Sequence, residues 1–218
     1  EKYRALCKEL SLLTLQFSEN NLKETNDYKL VITDKSQLAG LPESAVEAAA
    51  ETAGEKGVEG WVFTLQAPSY GPFLTYADSR DLRRELYMAY NTKCTHDNAS
   101  NNLEIVKKLA NVRMEIAQLL GYDNFAEYNL QERMAQNSES VYKLLDQLLE
   151  AYTPTAKQEY AEVQALARQA EGEDFVVMPW DWAYYSHKLK DRKFNIDDEL
   201  LRPYFELNNV KEGVFSLA

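Results

Sequence analysis

Apolar residues recur at steps of three and four along most of the chain, which is the spacing of one face of an α-helix. These stripes comprise Leu6, Leu10, Leu13 and Phe17; Leu82, Leu86 and Tyr90; Ile105, Leu109, Val112, Ile116 and Leu119; and Val141, Leu145, Leu148 and Tyr152. Polar segments at 20–27 and 95–102 separate the stripes and are expected to end helices or form loops. The pattern predicts a mainly α fold of long antiparallel helices.

Several residues predict where these helices begin and end. Pro42 fits the first turn of an Ala-rich helix that stops near Gly57, because an N–H in the first turn has no helical partner. Gly121 stands where a left-handed C-cap is expected. Asp123 and Ser138 are predicted to cap the N-termini of the two helices that follow.

The last long helical pattern contains Pro154, which predicts an interruption or a kink because proline lacks the backbone donor. A second limb, at 156–170, is expected to run to Gly172. Asp197 and Asp198 are predicted at the N-terminus of a further helix, where carboxylates complement the helix dipole. That role is favoured over a catalytic carboxylate pair.

Two short segments predict strands. Lys29 to Thr33 is a candidate strand, and Trp61 to Gln66 alternates large apolar residues with other types at the period of a strand. The sequence PSYGP at 68–72 then predicts a turn. We therefore expect at most a small two-stranded β patch.

Charge and composition exclude some classes of partner. The 218 residues carry 24 Lys and Arg against 35 Asp and Glu, a net charge of −11. Nucleic acid is excluded as a partner because phosphate binding needs a basic surface. A membrane is not expected as a partner, since no apolar run approaches the roughly 20 residues that span one. A disulfide between Cys7 and Cys94 is possible, but two free thiols are favoured, which is compatible with a cytoplasmic location.

The chain offers little catalytic chemistry of its own. It lacks H-E-x-x-H, C-x-x-C, G-x-S-x-G and phosphate-loop motifs. Its two histidines are far apart in sequence, with His96 in a polar loop, where a solvated side chain is favoured. His187 is favoured as a hydrogen-bonded structural residue over a site residue. We expect neither catalytic nor metal-binding residues in this chain.

The segment from Met178 to Gly213 is rich in aromatic residues. Trp180, Tyr184 and His187 share one helix face at steps of four and three, beside a stripe that contains Asp181 and Tyr185. The side chains could pack between helices, which residue chemistry alone favours. Alternatively, Trp180, Tyr184, Tyr185 and His187 form the wall of a peptide-binding channel.

The chain begins inside a helical pattern and stops with an apolar stripe unfinished, so we expect 1–218 to be a single helical segment of a longer protein. A further division into 1–93 and 94–218 is possible. A segment cut from a larger domain exposes apolar surface, so self-association is expected as well.

Several segments resemble, in the same order, the thimet oligopeptidase family of zinc metallopeptidases. They are PWDWAYYSHKLK at 179–190, FNIDDELLRPYFELNNVKEGVF at 194–215, LAGLPESAVEAAAE at 38–51, and the longer runs at 61–93 and 97–135. The details at 38–66 lean towards the peptidyl-dipeptidase branch. The resemblance implies a neurolysin-like, almost entirely helical body with a deep channel for short peptides.

In that family, zinc is bound by an H-E-x-x-H helix and a later Glu, and no position of this sequence matches them. The resemblance therefore implies zinc in the parent protein and none in this segment. The chain is expected to be a non-catalytic part of a peptidase that hydrolyses short peptides, with dipeptide release as one mode. The alternative is a free-standing helical interaction or scaffold module.

Overall fold

The structure is a computed structural model that describes residues 1–195 and 201–217. It is mainly helical with one two-stranded sheet, which confirms the predicted fold class. Asp197 and Asp198 lie outside the described residues, so their predicted capping role stays a prediction.

The described helices are, in chain order, α1 Lys2–Asp27, α2 Glu43–Glu55, α3 Ala67–Tyr76, α4 Arg80–Asn91, α5 Leu103–Leu119, α6 Phe125–Leu130, α7 Ser138–Glu171, α8 Trp182–Phe194 and α9 Leu207–Leu217. The strands are β1 Leu30–Ile32 and β2 Trp61–Phe63, and short 3₁₀ turns occur at Lys35–Leu38 and Arg202–Phe205. The chain divides into two compact units with interleaved boundaries. Unit 1 comprises 1–29, 64–66 and 88–161, and unit 2 comprises 30–63, 67–87 and 162–218.

Unit 1 is built around α1 and α5, which pack against each other. The apolar stripes predicted for both helices meet in a cluster that contains Leu6, Val112 and Ile116, with Phe125 and Tyr128 of α6 against it. Leu119, the last residue of the α5 stripe, is exposed. The predicted stripes therefore locate most of this core.

The polar segment Asn20 to Asp27 was expected to end the first helix, and α1 does end at Asp27, the last residue of this segment, so that the whole segment is helical. The polar side chains of this last part find partners within unit 1. Asn20 donates to Asn102 Oδ1, and Thr25 accepts from Lys93 Nζ. Polar residues can extend a helix when tertiary hydrogen bonds use their side chains.

Two predicted N-caps are wrong by one residue each. Asn124, not Asp123, caps α6, since its side chain accepts from the N–H of Glu127. Asn137 precedes α7 and accepts from the N–H of Ser140, whereas Ser138 is the first helical residue. Gly121 has φ +86°, as predicted for the residue after the end of α5.

Helix α7 differs from its prediction in two ways. It runs without interruption through Pro154 to Glu171, so the two predicted limbs are one helix. Moreover, the predicted inner face in its first half is not buried: Leu145, Leu148 and Tyr152 are exposed and Val141 is half-buried.

Unit 2 contains the small sheet, in which β1 and β2 pair antiparallel with Leu30 opposite Phe63 and Ile32 opposite Trp61. Both predicted strands are confirmed, although β2 ends at Phe63. Its predicted alternation is not reflected in burial, because Val62 and Phe63 are both buried. Gly60 has φ +99°, and a Cβ there would lie 2.2 Å from the carbonyl oxygen of Ile32, so this turn requires glycine.

The PSYGP segment forms part of α3 and not the predicted turn. Pro68 occupies the first helical turn, where proline costs little. Pro72 lies within the helix, directly before the buried residues Phe73 and Leu74. Burial of these two side chains outweighs the local preference of the prolines for a turn.

Candidate functional site

The aromatic segment predicted as a site lies in unit 2, at the start of α8. Trp180 was placed on the helix by its spacing, and this is wrong: it lies in the turn before α8. That turn is closed by the N–H of Asp181, which donates to the carbonyl of Met178 at 2.8 Å. The Asp181 carboxylate accepts in return from the N–H of Met178 at 3.1 Å.

Tyr184 and Tyr185 are buried in an apolar cluster that also contains Val163, Ala167 and Val177. Their hydroxyl groups donate to carboxylates of the same unit: Tyr184 to Asp78 at 2.7 Å, and Tyr185 to Glu171 at 2.9 Å. Burial raises the pKa of both phenols, and the hydrogen bonds to the carboxylates raise it further. Both side chains therefore remain neutral donors at physiological pH.

Asp181 is fully buried and binds two arginines of α4. Arg80 contacts the carboxylate through Nη2 at 2.7 Å, and Arg83 through its own Nη2 at 3.0 Å. Arg83 is itself buried and also donates to the carbonyls of Ala77 and Asp78. The hydrogen bonds that Arg80 donates to the Asp181 carboxylate raise the pKa of Arg80, which keeps that guanidinium charged.

The two guanidinium groups also stack on aromatic rings. Arg83 lies 4.0 Å from the ring centroid of Tyr184, and Arg80 lies 4.3 Å from that of Phe175. Arg84 lies 5.4 Å from Trp180. Of these arginines only Arg83 is buried, and the cation–π contact of a desolvated arginine contributes to stability in addition to its ion pair.

Sequence reasoning missed this arginine–aspartate cluster. It placed Asp181 on a stripe beside Tyr185 but assigned it no partner. An aspartate between two tryptophans in an otherwise apolar segment was a signal, since a buried carboxylate needs a cation. The sequence RDLRR at 80–84 offers such cations, but the separation of about a hundred residues cannot be bridged by local patterns.

The two histidines occupy different environments. His187 is half-buried, and its ring stands edge-on to Tyr76 with centroids 4.6 Å apart. His96 lies in the exposed loop of unit 1, with Nε2 3.3 Å from Thr92 Oγ1. Among the described residues, no group of three or more His, Cys, Asp and Glu side chains is arranged to hold a metal ion.

An open cavity of about 510 Å³ lies next to the cluster in unit 2. Arg80, Phe175 and Met178 line it together with the acidic residues Glu171, Glu173 and Asp174. None of the four residues predicted as a channel wall lines this cavity. Their assignment to a channel wall stays a prediction.

Within residues 1–195 and 201–217, no helix combines the length and apolar character needed to cross a membrane.

Both cysteines are free, with Cys94 buried and Cys7 half-buried. Burial raises the pKa of the Cys94 thiol, so the thiol form predominates at neutral pH.

Comparison with known protein families assigns this helical chain to a class of protein. The model of Peptidase family M3 matches residues 73–218, and the chain belongs to this family. This confirms the resemblance to these metallopeptidases.

Individual relatives cover the whole chain. It is 38% identical to oligopeptidase A of Escherichia coli (strain K12) and 34% identical to dipeptidyl carboxypeptidase of the same organism, over 100% of the chain and 32% of each relative. Saccharolysin of Saccharomyces cerevisiae is 28% identical over 99% of the chain and 30% of its own length. The chain thus spans about a third of the length of these curated relatives. Both oligopeptidase A and dipeptidyl carboxypeptidase match, so the leaning towards the peptidyl-dipeptidase branch stays a prediction.

Proposed function

We propose that this chain is a non-catalytic helical part of a zinc metallopeptidase that hydrolyses short peptides. The observation that carries the proposal is the match of the family model to residues 73–218, two thirds of the chain. The named relatives support it, since oligopeptidase A and dipeptidyl carboxypeptidase are peptidases by name and align along the whole chain.

The zinc site of the proposed enzyme lies outside these residues. The family's metal ligands belong to an H-E-x-x-H motif and a later Glu, and the 218 residues contain no such motif. The residues present do not fit a catalytic zinc ion, so we assign this chain no step of the reaction. We propose that it forms part of the helical body that surrounds the substrate channel.

We propose that the region around Trp180 and His187 forms part of the channel wall for short peptides. Both side chains are half-buried and so keep some surface for a ligand. Tyr184 and Tyr185 would form the buried layer beneath this wall, because hydrogen bonds to Asp78 and Glu171 hold their rings in place. Trp180, Tyr184, Tyr185 and His187 are the four residues predicted from the sequence as a channel wall.

The coding sequence beyond residue 218 provides the first test. An H-E-x-x-H motif in a helical context supports the proposal. A stop codon with no such motif would favour the free-standing interaction or scaffold module instead. If the motif is present, the longer protein should hydrolyse short peptides, and a chelator should abolish this activity.

The 218-residue chain by itself provides the second test. We expect it to retain no stoichiometric zinc after dialysis and to cleave no peptide, as measured by elemental analysis and by mass spectrometry of a peptide mixture. Zinc-dependent hydrolysis by the purified chain would contradict the proposal.

The channel wall can be tested in the longer protein by the substitutions Trp180→Ala and His187→Ala. We expect KM for short peptides to rise while the midpoint of thermal unfolding changes little. Leu189→Ala is the matched control, because Leu189 packs against the apolar cluster and should affect stability first. Equal losses of stability and activity in all three variants would show a packing role.

Release of dipeptides from peptide C-termini is a finer proposal, supported by the similarity to dipeptidyl carboxypeptidase. Peptides with a free C-terminus should then yield dipeptides, and their C-terminal amides should not. Cleavage of both at internal bonds would show an endopeptidase. We also propose a cytoplasmic location, supported by the relative named probable cytosolic oligopeptidase A of Arabidopsis thaliana.

A further inference from the structure

Unit 1 contains a second cavity, of about 480 Å³, that the proposed peptidase role does not use. It lies between the end of α1, the end of α4 and the loop at 95–102. Its apolar lining includes Leu65, Ala89 and Ala99. Its polar lining includes Lys93, His96 and Asn98. Its volume is in the range of small-molecule sites.

The loop that borders this cavity is held in place by Glu24 of α1. Glu24 Oε2 accepts from the N–H of Cys94 at 2.5 Å, and Oε1 accepts from Asn98 Nδ2 at 2.8 Å. Cys94 has φ +59°, a conformation that costs a non-glycine residue on the order of 1 kcal/mol or more. Asn98 in turn accepts from the N–H of Ser100 at 2.8 Å. The polar side of the cavity is therefore pre-formed.

Of the two lysines and two acidic residues that line the cavity, one lysine makes no ion pair with a described residue. Asp27 pairs with Lys23 at 2.9 Å, and Glu24 is occupied by the two hydrogen bonds of the loop. Lys93 donates to the neutral hydroxyl of Thr25 at 3.1 Å and lies 4.1 Å from the ring centroid of Tyr90. Its ammonium group makes no ion pair in the described part of unit 1.

We propose that this cavity binds a small ligand that carries a carboxylate next to a short branched apolar group. Lys93 is the partner of the carboxylate, and His96 and the Asn98 amide complete the polar side. Leu65, Ala89 and Ala99 receive the apolar group. A carboxylate supplies the negative charge that Lys93 lacks, and a charge-assisted hydrogen bond in a partly desolvated site is stronger than a neutral one.

The test uses 4-methylpentanoate as the probe and its amide as the uncharged control. Binding to the 218-residue chain is followed through the backbone amide signals of Cys94, Asn98 and Ser100 by NMR. We expect the acid to bind in the millimolar range, as a ligand of this size permits, and the amide to bind about tenfold more weakly or not at all.

Two variants and a matched control locate the site. Lys93→Met keeps the apolar stem over Tyr90 and should weaken the acid about tenfold. Ala89→Met fills the apolar part without a change of charge and should abolish binding. Lys108→Met removes the same charge from an exposed position of α5 outside the cavity and should leave binding unchanged. Circular dichroism establishes that each variant is folded.

Two further probes identify the source of the carboxylate. Tighter binding of N-acetyl-leucine than of leucine indicates a peptide C-terminus, and tighter binding of leucine indicates a free amino acid. Equal binding of acid and amide, equal effects of Lys93→Met and Lys108→Met, or no shift with any acid at tens of millimolar would overturn the proposal. None of these outcomes depends on peptidase activity, so they leave the proposed function untouched.

Discussion

Asp181 is the residue whose environment most constrains its chemistry, because its carboxyl group is fully buried beside two guanidinium groups. A buried carboxylate is stable only when its charge and its hydrogen bonds are matched. Here Arg80, Arg83 and the N–H of Met178 all contact it. The start of α8 is thereby tied to the start of α4 within unit 2.

We expect Asp181→Asn to destabilise the chain by about 3–5 kcal/mol, because it leaves Arg83 buried without a counter-ion. Urea unfolding at pH 7 measures this loss. Glu162→Gln is the control, since Glu162 pairs with Lys193 at a partly exposed position of the same unit. Such a pair contributes about 0–1 kcal/mol. A similar small loss in both variants would show that the buried pair contributes little.

Glu24 provides a prediction on pH dependence. Burial raises its pKa, but the hydrogen bonds from the Cys94 N–H and Asn98 outweigh this effect, and the net pKa lies below the ordinary value of 4.5. The ionised form is therefore favoured in the folded state. Its contribution to stability is present above about pH 4.5 and is lost as the pH falls through the lowered pKa.

The variant Glu24→Gln should therefore lower the free energy of unfolding by about 1–2 kcal/mol at pH 7, as expected for charge-assisted hydrogen bonds. The difference from wild type should shrink as the pH falls below about 4.5. Glu19→Gln, at an exposed position of α1, controls for the lost charge and should stay within about 0.5 kcal/mol of wild type. A constant difference across this pH range would contradict the assignment.

At the scale of elements, the spacing of apolar residues along the chain predicted the helices best. Ile105, Leu109, Val112 and Ile116 were predicted as one face of α5, and all four are buried. Boundaries were less predictable, because neighbouring residues such as Asp123 and Asn124 offer equivalent caps and only the backbone geometry selects one. Segment 20–27 shows the same difficulty, since its helical state depends on partners distant in sequence.

Helix α7 provides a prediction about proline. Pro154 is exposed and lies within a continuous helix, where it removes one backbone hydrogen bond. We expect Pro154→Ala to raise the free energy of unfolding by about 1–3 kcal/mol. Alanine has the higher helix propensity, and this gain exceeds the loss caused by the greater conformational entropy of the unfolded variant.

Pro42→Ala is the control. Pro42 precedes the first residue of α2, so its replacement should lower stability by about 0.4–1 kcal/mol. Chemical denaturation measures both, and a loss in Pro154→Ala would contradict this account.

At the scale of the whole molecule, local patterns could predict the helical class but not which segments assemble. Each compact unit draws on several separate stretches of chain, and the helices α4 and α7 contribute residues to both. The partners of Asp181 illustrate the reason: a buried ion pair between α4 and the turn before α8 depends on tertiary packing, which a single sequence does not encode locally. The candidate wall was recognisable as an aromatic cluster, and packing was the favoured role of its side chains. Tyr184 and Tyr185 are indeed buried, but their hydrogen-bond partners Asp78 and Glu171 were not predicted.

The exposed stripe of α7 leads to a prediction about assembly. Tyr142, Leu145, Leu149 and Tyr152 recur at steps of three and four on one helix face, and 51–66% of the surface of each is exposed. Contiguous apolar surface of this kind marks an interface, so we propose that the 218-residue chain self-associates through this stripe. Paired stripes would bury these side chains, each contributing up to about 1.5–3 kcal/mol, against an association cost of at least about 4 kcal/mol. The association is therefore expected to be favourable and to depend on protein concentration.

Sedimentation velocity over a range of concentrations tests this assembly. The wild-type chain should show a rising mean mass, and the double variant Leu145→Glu/Leu149→Glu should remain monomeric, because two carboxylates cannot be buried in an apolar interface without partners. The double variant Lys143→Gln/Gln147→Glu lowers the net charge by the same two units at positions outside the stripe and should still associate. A monomeric wild-type chain at every concentration would exclude self-association. Association of wild type and both double variants alike would place the interface elsewhere on the molecule, since only the first of them removes the apolar face of α7.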